Sequence, residues 1–190
     1  MDVLQRRRSG LAVGAEDLAL IRRALGPSDD QAMNLLWTRF DGPVAVSRVA
    51  RQLGLSATGP PADPSQWGES LVSARDTVVL YRHVLDELPA WDRELIMTAL
   101  ATAPPVAADG FDQAFGLQAA VPGLTIATKQ GWMCCREDRI NLHSTGALGE
   151  QRRFVVALLS NQPVGRGYDG ARETVTAAAD AVRAALPASP

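Results

Sequence analysis

Apolar residues recur at helical spacing through the first half of the chain and gather into strand-like blocks in the second. From about Glu16 to Leu25, the positions Leu18, Ile21, Ala24 and Leu25 share one helical face. "GPSDD" interrupts, and Ser28 or Asp29 is placed to cap the second helix. That helix runs from about Asp29 to Phe40, with Met33, Leu36, Trp37 and Phe40 on its apolar stripe. Pro43 suits the first turn of a third helix and Gly54 its end. "TGPPADPSQWG" reads as a long loop. Ser73 and Asp76 in "SARD" have the spacing of a capping box, opening a helix through about Glu87. A fifth helix spans about Pro89 to Ala101, and Pro104 and Pro105 end it.

Three β-like runs come next: "LTIATKQGWM", "RINLHSTGAL" and "RFVVALLSN". "CREDR" and "GEQRR" between them are short enough for hairpins, so the runs imply an antiparallel meander. "GYDGARETVTAAADAVRAAL" closes the chain as an amphipathic helix, with Val175, Ala178, Ala179, Val182 and Leu186 inward. The pattern predicts an α+β fold: a helical lobe over residues 1–118, then a three-stranded meander and C-terminal helix over 119–190, packed as one structural unit.

Bulk properties narrow the functions. The chain has 190 residues, enough for a real core, and a net charge of −2. No overall field draws it to nucleic acid or anionic lipid. No apolar run approaches the roughly 20 residues of a membrane helix. The basic start, Arg6 to Arg8, is followed by an apolar run that Glu16 and Asp17 cut short, so no export signal is read and the chain by itself is expected to be cytoplasmic. Cys134 and Cys135 are adjacent, and a mutual bridge would need unusual geometry. With no second cysteine cluster, no metal site is expected, nor any cofactor. His83 and His143 read as structural.

"SRVARQLGLSAT" resembles the first helix and turn of a DNA reader. Gly59, Pro60 and Pro61 occupy the place of the recognition helix, which excludes it. Eighteen arginines and a single lysine supply the positive charge, and that lysine, Lys129, stands in a strand beside Gly131. Glycine in a strand marks a close approach to the backbone, by another strand or by a ligand.

"PSDDQAMNLLW", "LGLSAT", "SARD", "GFDQAFGL", "KQGWM" and "LHSTGAL" occur in the order seen in class A serine β-lactamases and the related D,D-peptidases. Across roughly Gly10 to Leu186 the chain resembles the actinobacterial β-lactamase-like serine hydrolases. That family uses S-x-x-K, S-D-N and K-T-G. The resemblance implies that Ser28, Asp29 and Asp30 stand at S-D-N, with Ser28 relaying a proton toward a leaving nitrogen. It implies that Lys129, Gln130 and Gly131 stand at K-T-G, with Lys129 supplying charge. It places the Trp132 backbone N–H at the oxyanion position, and Asp30, Gln130, Gly131 and Trp132 at the substrate. Glu69 in "QWGES" falls in the stretch that carries the base for deacylating water. Asp30 replaces a hydrogen-bond donor with an acceptor, and Gln130 replaces a hydroxyl.

The nucleophile motif is absent from these residues, because the only lysine is Lys129 and position 126 is isoleucine. Only 27 residues precede Ser28, and they read as the helix and loop that come after the nucleophile helix. The expectation is an N-terminally truncated version of the fold. Three functions are compatible with this. One is a serine hydrolase-like protein for β-lactams or D-Ala-D-Ala-type cell-wall peptides, inactive as this chain. Another is a non-catalytic binder or scaffold for a cell-wall peptide. The third is a truncated product without independent function, whose exposed edges would favour homo-oligomers. The resemblance implies an exported parent protein.

Overall fold

The computed structural model describes residues 1–120 and 126–187. Its elements succeed one another as α1 (Asp2–Arg8), α2 (Ala15–Leu25), α3 (Asp30–Arg39), α4 (Gly42–Leu53), α5 (Ala74–Asp86), α6 (Ala90–Ala101), α7 (Leu117–Ala120), β1 (Ile126–Arg136), β2 (Arg139–Leu148), β3 (Phe154–Pro163) and α8 (Gly167–Ala185). The strands form an antiparallel sheet in the order β1-β2-β3. Lys129 faces Thr145 and Gly131 faces His143 across the first ladder. The expected meander is therefore present; Leu124 and Thr125, read as its start, lie outside the described residues.

Helix ends match the local chemistry. The Asp29 carboxylate accepts from the Ala32 N–H at 3.0 Å and caps α3. Gly54 takes a left-handed conformation (φ +64°) at the end of α4, where a side chain would be strained. The capping box expected at "SARD" forms in one direction only. Ser73 Oγ accepts from the Asp76 N–H at 3.1 Å. The Asp76 carboxylate turns instead to the Ala57 N–H (2.8 Å) and the Thr58 hydroxyl (2.9 Å), fastening the loop after α4 to α5.

Two elements lack a readable signal in the sequence. Seven-residue α1 carries three arginines and no apolar stripe. Leu4 is nonetheless completely buried, in the main core with Ile21, Tyr81, Val84, Met97 and Leu100. Asp2 pairs with Arg48 at 2.7 Å and Arg8 pairs with Asp92, which holds α1 among the helices. α7 is a single turn. The closing helix buries Ala171, Val175 and Ala179, but Ala178, expected inward, is exposed. The buried row steps by four residues, and Ala178 falls one position off it.

The main core joins helices to sheet through Ala127 and Ala147. A second core holds Phe115, Ile140, Leu142 and Val175 between β2 and α8. Cys134 and Cys135 are bonded to each other across a cis peptide bond, in the irregular stretch where the β1–β2 register shifts. Among the described residues no helix is long and apolar enough to cross a membrane.

Candidate active site

The start of α3, the loop after α4 and strand β1 meet around a cleft of about 760 Å³. Ser28 sits in the turn before α3, in a left-handed conformation (φ +53°) that is uncommon for serine. Gln113, 1% exposed, fixes this turn. Its Oε1 accepts from Ser28 Oγ at 2.9 Å, and its Nε2 donates to the carbonyls of Gly26 (3.3 Å) and Pro104 (2.7 Å). Lys129 reaches the same serine from β1. Its Nζ donates to Ser28 Oγ, and also to the Gln130 carbonyl at 2.6 Å. Two residues 101 positions apart are thus in direct contact at the cleft.

Burial costs the charged form of an amine, so the Lys129 ammonium is pushed down to about 8, with the Asp30 carboxylate acting in the opposite direction. Asp30 lines the cleft at the first position of α3. Partial burial, then the carboxylates of Asp109 and Asp29, push its carboxyl up; Lys129 counters them. Asp29 is committed elsewhere, to the cap of α3 and to Arg23 at 2.6 and 2.9 Å. Its backbone bond to Ala32 is the main reason its carboxyl is held low.

Strand β1 contributes backbone as well as side chains. The Gln130 carbonyl meets Lys129 Nζ, so it lies on the edge that faces the cleft, away from β2. Backbone groups two residues apart share an edge, and the register is continuous here, so the N–H and C=O of Trp132 lie there too. The Gln130 side chain does the opposite of what its motif position implies. It is 2% exposed, and its amide donates to the Phe115 carbonyl at 2.7 Å, inside the protein. Alternation along a strand sends the Lys129 and Gln130 side chains to opposite faces. Gly131 lines the cleft, and a Cβ placed there would come no nearer than 3.8 Å to His143. The neighbouring strand therefore does not require glycine at this position.

The opposite wall is the loop between α4 and α5, closed by a Gly59–Leu71 bridge. Indole N–H groups pin it to α3: Trp37 donates to the Pro64 carbonyl and Trp67 to Asn34 Oδ1, both at 2.7 Å. Trp67 and Trp132 both line the cleft. Glu69 does not line it. Its carboxylate accepts from Arg136 at 2.9 Å and borders an adjoining cavity of about 430 Å³, which shares Trp67, Gly68, Gly131, Trp132 and Met133 with the cleft. Among the described residues no three His, Cys, Asp or Glu side chains converge to hold a metal ion.

The structure thus brings Ser28, Lys129, Asp30, Gly131 and Trp132 together, with the backbone of Gln130, and sets Glu69 aside. Gln113 is the residue the motifs did not single out. It lies inside "GFDQAFGL", but no spacing rule links it to Ser28 85 positions away.

This fold is that of the class A β-lactamases. The β-lactamase from Burkholderia vietnamiensis superposes with a TM-score of 0.72 and 21% identity, over 99% of this chain and 79% of that one. The Streptomyces albus G enzyme gives 0.71 and 21%, over 98% and 73%. The class A enzyme from Mycobacterium abscessus gives 0.69 and 24%, over 97% and 71%. In sequence, the chain is 34% identical over 180 residues to the "Putative lipoprotein LppW" of Mycobacterium tuberculosis and of Mycobacterium bovis. The match takes in 93% of this chain, which spans about half (55%) of the length of those curated relatives. No protein-family model matches.

Proposed function

We propose that the cleft binds a carbonyl compound of the β-lactam or D-Ala-D-Ala-peptide kind, with Lys129 and Ser28 as its polar centre. The contact between Lys129 Nζ and Ser28 Oγ carries this reading. A protonated Lys129 can pass a proton to Ser28 Oγ as Ser28 passes its own to a leaving nitrogen, which is the relay the motif position implies. Trp132 offers a backbone N–H on the same edge for the carbonyl oxygen. Glu69, paired with Arg136, is no part of this proposal.

Within these 190 residues no serine has a lysine three positions later, so the covalent step has no S-x-x-K nucleophile here. We therefore read the chain as a binder of such ligands and not as an acyl enzyme by itself. The lipoprotein name of the mycobacterial relatives supports an exported setting for the parent protein. A fluorescent penicillin whose carboxylate is esterified tests the reading in two parts. Equilibrium binding that weakens about tenfold or more in Lys129→Ala supports the cleft. A stable covalent adduct on the native chain contradicts the binder reading, and unchanged binding in Lys129→Ala contradicts the site.

A further inference from the structure

The charges around the cleft are unequal. Of its lining residues Asp29, Asp30 and Lys129 carry charge. Asp29 is tied to Arg23, which leaves Asp30 as the free carboxylate. A second acid stands beside the wall: Asp109 Oδ2 accepts from Trp132 Nε1 at 3.3 Å, and its field reaches Asp30. The one cation among the described lining residues is Lys129, whose ammonium already serves Ser28 and the Gln130 carbonyl. The next side-chain donor along β1, the Gln130 amide, is turned inward to Phe115.

An incoming carboxylate would therefore meet two like charges and a lysine already engaged. Like charges brought together in a partly dry site are strongly disfavoured. An incoming ammonium would meet Asp30, Asp109 and the indole of Trp67, which attract cations, while Trp132 is already stacked on Phe111 and has Lys129 Nζ 5.8 Å from its ring centroid. We propose that the cleft selects neutral or ammonium-bearing carbonyl compounds over those with a free carboxylate, and that Asp30 and Asp109 set this preference. The inference rests on the cleft being the ligand site.

The test uses two matched peptides, acetyl-lysyl-D-alanyl-D-alanine as the C-terminal amide and as the free acid, titrated against the protein by tryptophan fluorescence. The amide should bind about tenfold more tightly at low salt, and less selectively at high salt. In the Asp30→Asn, Asp109→Asn double variant the two affinities should come within about twofold, as judged on a protein whose thermal melt is unchanged. Asparagine keeps an acceptor for the Trp132 indole. Equal or tighter binding of the free acid overturns the inference, as does a preference that survives in the double variant. If both peptides bind equally and both are lost in Lys129→Met, the cleft stands and the charge preference falls. If neither binds, both readings fall.

Discussion

Lys129 is where composition, position and physics meet. An arginine-rich chain keeps one lysine and holds it half-buried in a strand, against a serine at a left-handed turn. A folded value of about 8 against an ordinary 10.5 fixes the sign of a stability effect. Between those values the unfolded chain holds the extra proton, so stability rises with pH across that window. Relative to Lys129→Met, urea unfolding of the native chain should gain on the order of 2 kcal/mol from about pH 7.5 to about pH 10.5. A difference that does not change with pH would mean the ammonium is not buried. Gln113→Ala should leave the Ser28 hydroxyl without its acceptor, the Gly26 carbonyl without the Gln113 amide, and the Pro104 carbonyl with only the longer contact from Gln118 at 3.5 Å. It should cost about 2 kcal/mol in the same assay. A loss below about 0.5 kcal/mol would show that the turn holds itself.

At the scale of elements, two glycines behave differently, and the contrast separates packing from ligand space. A Cβ at Gly116 would lie 2.5 Å from Ser144, at a φ of +58°. Gly116→Ala should therefore destabilise by about 2 kcal/mol or more. Gly131→Ala meets nothing closer than 3.8 Å and should change stability by less than about 0.5 kcal/mol. It should still weaken fluorescent-penicillin binding by narrowing the cleft beside Trp132. Thermal melts and binding titrations on the pair check both statements, and a large stability loss in Gly131→Ala would return that glycine to a packing role.

Long periodic helices and the β-runs announced themselves because each buries one face, and the turn residues marked their ends. α1 did not, because it is held by ion pairs at Asp2 and Arg8 and by one fully buried leucine. Pairs such as Ser28 with Lys129 could be expected only from the ordered motifs, since nothing local encodes a contact across 101 positions. Gln113 had no such guide. Gln130 was placed at the ligand by its motif position, yet strand alternation turns its side chain inward and leaves its backbone at the cleft.

Taken as a whole molecule, the chain combines the class A β-lactamase fold with about half the length of its curated mycobacterial relatives. Among the described residues the sheet has three strands, with β1 and β3 each paired on one side only. The cleft lies at the β1 edge, between the sheet and the helices, so its polar centre is assembled from both halves of the sequence. One measurement on Lys129 reads that polar centre directly. The chain has one lysine, so labelling with lysine carrying carbon-13 at Cε gives one resonance. This resonance should titrate with a midpoint at about 8 and move when unlabelled acetyl-lysyl-D-alanyl-D-alanine amide is added. A midpoint near 10.5, unmoved by the peptide, would contradict a ligand cleft centred on Lys129.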